Sequence, residues 1–356
     1  MQPYFQFFRE GENPPSPNCR NWYLDPSNPE SPYYGFVGNE NAIKRLVRID
    51  FNALGKFNHA TEGLNVAVIG PAGTGKTSLV KRHNRARMLP FVEISPKSVK
   101  NTQDLFKEIS GVAFRSGVTL EKQNNGFYLP PMDIFIDEVH ALHNNMVQGL
   151  LKATEPSDSI LVTSEGMTVN CKNIHWIIAT TDRGKLFDAF DTRFIKIQLH
   201  LYDKETMAQI VNAHYPNWSM DVCRLVAHYS SRVPREAIAF AKEMTLEYNM
   251  NPGNWESVAK QIACDNEIDP WGMTYQRLKI LKALGQHPVS AARLPGVAEC
   301  KIEELDKFVL PWLLESTPDQ AAMVSVSSKG YCITEAGVEQ LEVRGIEYNK
   351  DVLEAA

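Results

Sequence analysis

The apolar run Leu64-Asn65-Val66-Ala67-Val68-Ile69 leads directly into Gly70-Pro71-Ala72-Gly73-Thr74-Gly75-Lys76-Thr77, and this junction constrains the fold more than any other stretch. A glycine, four variable residues and then Gly-Lys-Thr is the spacing of a phosphate-binding loop. Glycines let the backbone curl until its N–H groups face an anion, and the helix that follows adds the partial positive charge of its N-terminus. The strand is expected over 64–69 and the helix from Thr77 to Met88. Strand, loop and helix in that order predict an α/β fold, a parallel sheet sandwiched between helices, with the ligand at the carboxyl ends of the strands. Lys76 is expected to reach the outer phosphates of a nucleoside triphosphate, and the Thr77 hydroxyl to coordinate Mg²⁺. Gly70, Pro71, Ala72, Gly73, Thr74, Gly75 and Ser78 complete the expected binding loop.

At 356 residues the chain can build two or three domains, each with its own core. Its 43% hydrophobic and 22% charged residues are those of an ordinary globular protein. No apolar run approaches a membrane span and no leader pattern opens the chain, so no membrane role is expected. Six cysteines scattered singly, without metal-ligand spacing, point to a reducing, cytoplasmic compartment. With a net charge of −5, any contact with nucleic acid has to come from local basic patches.

Residues 1–32 are rich in proline, asparagine and aromatic side chains and read as an extended arm. From 33 to 200 strands and helices alternate, with helices at Ala42–Leu54 and Thr102–Ile109 and strands at Pro90–Ile94, Asp133–Ile136 and Ile174–Ala179. Ile160 to Val169, with Glu165-Gly166 at its bend, reads as a hairpin. The pattern over 201–268 is helical throughout. The last stretch, 269–356, predicts helices at Thr274–Leu284, Val289–Leu294 and Ile302–Leu314, then a strand pair turning at Lys329-Gly330 and a closing helix from Glu335. That order is the one expected of a winged helix-turn-helix.

A second nucleotide signal is Ile134-Phe135-Ile136-Asp137-Glu138, an apolar strand that delivers two acids to the edge of the sheet. Asp137 is expected in the Mg²⁺ shell and Glu138 as the group that polarises an attacking water. His140 and His143 lack partners at metal spacing and are expected on the surface of the next helix, without a role. The basic run Lys81-Arg82-His83-Asn84-Arg85-Ala86-Arg87 fits a solvated helix face better than a pore or subunit contact.

Trp176-Ile177-Ile178-Ala179-Thr180-Thr181-Asp182 resembles the strand of an AAA+ ATPase that ends in a polar sensor, and the chain is identified as a member of that family. The resemblance implies ATP as the nucleotide and assigns Thr181 to the attacking water or γ-phosphate. Leu186 to Phe194 resembles the segment bearing an arginine finger. Arg193 is then expected to act in a neighbouring subunit's site, which implies a ring of six; local pairing with Asp188 or Asp191 is the other reading. Ser231-Arg232-Val233-Pro234-Arg235 resembles the start of the lid helix, where Arg235, in preference to Arg232, is implied to reach the phosphates in cis.

Within the family, the order of parts over roughly 33 to 347 is similar to that of the RuvB branch-migration motors. Tyr34-Gly35-Phe36-Val37-Gly38 matches the leading segment, placing Val37 against the adenine. The resemblance implies an ATPase acting on duplex or branched DNA, with an α/β ATPase domain (33–200), an all-α lid (201–268) and a winged helix (269–356). Two departures stand out. The hairpin that docks RuvA in those motors is short here and polar at its tip, Thr163 to Gly166, which argues against a RuvA-like partner. The wing, Ser325 to Gly330, carries one cation where RuvB carries several arginines. An initiator or loader of replication complexes, and a protein-remodelling scaffold ATPase, are the alternatives.

Overall fold

The structure, a computed structural model, describes residues 29, 31–54, 65–87, 89–117, 120–123, 126–155, 158–181 and 192–353. Most of the N-terminal arm, Asp182 of the sensor motif and residues 186–191 of the expected finger segment lie outside them. The chain divides into two units, one running to Gly70 and from Gly75 to Leu199, the other comprising Pro71–Thr74 and the chain from His200 onward.

In the first unit, short runs of β-branched and aromatic residues form five parallel strands, the central three buried on both faces. They are β1 (Val66–Ile69), β2 (Phe91–Ile94), β5 (Met132–Ile136), β8 (Ile174–Thr180) and β9 (Ile195–Gln198), in the order β2-β5-β8-β1-β9. Side chains alternate between the two faces, as a period of two requires. Ala67, Ile69, Ile134, Ile136, Trp176 and Ile178 pack against α3 (Thr102–Arg115) and α4 (Asn144–Ala153). Val66, Val68, Phe135, Ile177 and Ala179 face α1 (Glu40–Leu54) and the loop helix α2 (Lys76–Arg87). This is the expected three-layer sandwich. Register sets the carboxyl edge, because Ile69 pairs with Thr180 and Ile136 with Ile178.

A second sheet, absent from the expectation except for its hairpin, has the order β3-β4-β7-β6. It joins β3 (Glu121–Gln123) and β4 (Gly126–Tyr128) to the expected hairpin of β6 (Ile160–Val162) and β7 (Thr168–Asn170). Gly126 permits the parallel pairing of β4 with β7, since a Cβ there would lie 1.8 Å from the Thr168 carbonyl oxygen.

The second unit opens with four helices: α5 (Lys204–His214), α6 (Met220–Tyr229), α7 (Pro234–Met250) and α8 (Trp255–Asp265). Asp203, Ser219 and Asn254 each accept a backbone N–H at the start of their helix, and Pro234 opens α7, where its missing N–H does no harm. After α9 (Tyr275–Leu284), the helix expected over Val289–Leu294 does not form. Val289 instead bridges to Tyr331, and a short α10 runs Leu294–Ala298. Prolines explain the shift: Pro288 biases its predecessor away from helix, and Pro295 is tolerated only in a first turn. The expected helix from Ile302 is broken into α11 (Ile302–Glu304), a π turn (Leu305–Val309) and α12 (Leu310–Leu314). Pro311 lacks the N–H an unbroken α-helix needs there, and the wider turn absorbs the fault. β10 (Val324–Ser327), β11 (Gly330–Ile333) and α13 (Glu335–Val343) close the unit in the order expected of a winged helix.

Candidate nucleotide site

The loop after β1 is held open by its own bonds. Gly73 (φ +76°) and Gly75 (φ +96°) occupy the left-handed region that other residues avoid. The Thr74 hydroxyl donates to the Pro71 carbonyl at 2.8 Å, and the Tyr202 hydroxyl donates to the Thr74 carbonyl at 2.8 Å. Lys76, 6% exposed, donates from Nζ to the Gly70 carbonyl at 2.9 Å. Its ammonium is thus held at the mouth of the loop by a neutral acceptor, a bond that a phosphate oxygen can replace with a stronger one. Ser78 is exposed in the first turn of α2.

The two expected metal ligands meet. Thr77 donates from Oγ1 to Asp137 Oδ2 at 2.7 Å, and Asp137 Oδ1 accepts the Glu138 N–H at 3.0 Å. Two hard oxygen donors side by side fit Mg²⁺, which takes few protein ligands and completes its shell with water and phosphate oxygens. No group of three or more His, Cys, Asp or Glu suited to a metal occurs among the described residues.

Beside them, one oxygen of Glu138 is tied down. Oε2 accepts from the Thr181 backbone N–H at 3.3 Å and from its hydroxyl at 3.2 Å. His140 Nδ1 lies 3.3 Å from the same oxygen and 3.0 Å from Thr180 Oγ1. His140 is therefore at the site, on a 3₁₀ turn (Val139–Ala141), and not on the surface of a helix as expected. Strand, loop, paired acids and sensor strand thus converge on one edge of the sheet.

Comparison with known proteins gives this edge its family. The model of the ATPase family associated with various cellular activities (AAA) matches residues 66–201. The RuvB subunit of the Holliday junction branch migration complex from Mycoplasmopsis pulmonis is 24% identical over 86% of this chain and 95% of its own. The RuvB subunit from Bdellovibrio bacteriovorus is 25% identical over 84% of this chain and 89% of its own. The chain carries an AAA ATPase domain and resembles RuvB. Its fold is also that of the solved Thermotoga maritima RuvB branch migration motor, at a TM-score of 0.66 and 20% identity over 88% of this chain and 97% of that one.

The remaining candidates sit elsewhere in the chain. Val37 is half-buried ahead of α1. Its segment is pinned to the loop helix, where the Tyr33 hydroxyl lies 3.0 Å from His83 Nδ1 and Arg82 donates to the Tyr34 carbonyl. The basic run of α2 is only partly the solvated face expected: Lys81 and Arg85 are exposed, Lys81 pairing with Glu93 at 2.8 Å, whereas His83 is buried and Arg87 pairs with the buried Asp133 at 3.2 Å. Burial and the nearby Arg85 lower the pKa of Arg82. Arg193 pairs with Glu155 at 2.7 Å and donates to the Leu151 carbonyl, so within this chain the C-terminal end of α4 holds it.

In the second unit, Arg235 is exposed near Gly73, where a glycine Cβ would lie 3.4 Å from that of Arg235. Arg232 is 2% exposed, left-handed at φ +58°, and bonded to Thr317 Oγ1 at 3.0 Å. It and Arg277 both lie over the Trp312 ring, at 5.3 and 4.6 Å from the centroid. Burial lowers the pKa of both, Arg277 to about 10. Nothing in the sequence flagged this buried pair.

Proposed function

We propose that the chain is one subunit of a ring motor, a homohexamer, that couples ATP hydrolysis to movement along duplex or branched DNA in the cytoplasm. Residues 33–200 serve as its ATPase domain, 201–268 as its lid and 269–356 as a winged helix toward DNA. The observation that carries the ATPase half is the meeting of the Thr77–Asp137 pair with Glu138 and Thr181 at one sheet edge. The DNA half rests on likeness to RuvB subunits over most of the chain.

On this reading Lys76 and the loop N–H groups bind the phosphates of ATP, and Val37 lies against the adenine. Thr77 and Asp137 hold Mg²⁺, which supplies charge neutralisation to the phosphates when bound. Glu138 takes a proton from the attacking water while Thr181 orients it. Arg235 reaches the phosphates in cis. Arg193 leaves Glu155 to stabilise transition-state charge in a neighbouring subunit's site.

The test is ATPase rate without DNA and with duplex, single-stranded or four-way-junction DNA. Stimulation by duplex or junction is expected; turnover indifferent to all three would overturn the DNA assignment and favour protein remodelling. Lys76→Ala should lose nucleotide binding, and Glu138→Gln should bind ATP without turning it over.

A further inference from the structure

We infer that His140 is a positioning residue for Glu138, fixing one carboxylate oxygen so that the other alone is presented to water. The inference rests on the reading of Glu138 as the water-activating group.

The placement follows from the strands. Ile136 of β5 is paired with Ile178 of β8, so two residues further on Glu138 and Thr180 emerge at neighbouring points of the edge. Glu138 takes a left-handed backbone, φ +51°, a conformation that disfavours any residue with a side chain. That turn sends the chain into the short 3₁₀ segment and brings His140 back over the end of β8. His140 is only 15% exposed in its side chain, against 40% for Glu138.

All the side-chain polar contacts of Glu138 among the described residues fall on one atom. Oε2 receives Thr181 N–H, Thr181 Oγ1–H and the approach of His140 Nδ1, whereas Oε1 has no hydrogen-bond partner among the described residues. A carboxylate hydrogen-bonded at one oxygen by Thr181 and faced at the same oxygen by a ring from a second element has lost its rotation about χ3. The ungripped Oε1 is then the basic atom, and its direction is set by the grip. Thr181 alone gives two bonds from one residue; His140 supplies the anchor from the opposite side and locks the plane. For this the proton sits on Nδ1, which is hydrogen-bonded to Thr180 Oγ1 at 3.0 Å and faces Glu138 Oε2 at 3.3 Å.

The atom involved makes the test specific. An asparagine places a polar atom where Nδ1 stands, whereas a glutamine places one near Nε2. His140→Ala should lower kcat on the order of 10-fold, the size of one lost positioning hydrogen bond, with the KM for ATP and binding of a fluorescent ATP analogue unchanged. His140→Asn should recover most of the rate and His140→Gln should not. A wild-type kcat in His140→Ala overturns the inference. So does equal recovery by Asn and Gln, or recovery by neither, since either outcome makes the ring a packing element. Thermal unfolding of each variant identifies any that loses its fold, and the Asn–Gln comparison is then read between the two that keep it. Glu138→Gln in the same assay separates the two claims: wild-type turnover there removes the role of Glu138 itself, whatever His140 does.

Discussion

Lys76 donates to a carbonyl six residues back in its own loop, and that bond keeps a buried ammonium in place while leaving the direction of phosphate approach open. The loop tolerates little change around it. At Gly73 a methyl group would stand 2.4 Å from Val233 Cγ1, in a backbone conformation that already disfavours any side chain. Gly73→Ala should therefore weaken ATP binding by about tenfold or more while the far-UV spectrum stays native, as equilibrium titration with a labelled nucleotide would show. Arg193 makes a different case. It is paired with Glu155 within its own chain, so a role in a neighbour's site requires that pair to open. Arg193→Ala should bind ATP normally and turn it over about a thousandfold more slowly, the size of effect expected when an arginine finger is removed. Mixing it with Lys76→Ala should restore turnover, because each then supplies what the other lacks; no rescue in a demonstrably mixed ring would refute action in trans. The loop, the acid pair and the sensor threonine were legible in the sequence because each is a local string with a fixed chemistry. His140 was not, because its meaning depends on the register of β5 against β8, which no local string records.

At the scale of elements, alternating apolar residues announced the sheet, and the two faces of the core follow that alternation. Less visible was how the sheet holds the loop helix. Asp133, fully buried at the start of β5, lies 3.2 Å from Arg87 Nε and accepts from Asn84 Nδ2 at 2.8 Å, both on the last turns of α2. The basic run looked like a solvated face because sequence alone does not show which strand residue lies under each helical turn. Asp133→Ala leaves Arg87 buried without its counter-charge and should destabilise the first unit by about 3–5 kcal/mol in urea unfolding. His175 is paired with Asp133 across β5 and β8, and burial, with help from Arg87 and His83, pushes its pKa down to about 2. An unfolded histidine titrates near 6.5, so between there and about 2 the unfolded chain takes up a proton that the folded chain refuses. Stability should fall as pH falls through that window, by up to about 1.4 kcal/mol per pH unit from this group. His175→Gln should flatten the dependence of the urea midpoint between pH 6.5 and 4; an unchanged slope would show that other groups dominate it. β3 and β4 went unread despite the hairpin signal Asn125-Gly126, since three-residue strands are too short for a period to show.

For the whole molecule, the ATP chemistry and the DNA chemistry are unequally marked. The edge of the first sheet gathers groups suited to a triphosphate, whereas residues 269–356 hold thirteen acids against nine lysines and arginines. The helix that opens at Ile302 carries Glu303, Glu304 and Asp306 in its first turns, and from Met323 to Ile333 Lys329 is the only basic residue. A duplex bound by this face would release few counterions, because each phosphate neutralised contributes about 0.9 to the slope of log affinity against log salt. The DNA affinity of this chain should therefore fall gently with salt, and Lys329→Ala should reduce the slope by about one while leaving ATP turnover without DNA unaltered. Fluorescence anisotropy with a labelled duplex across a salt series measures both. A steep slope that Lys329→Ala does not change would place the phosphate contacts on the ATPase domain, and the winged helix would then be free to serve a protein partner.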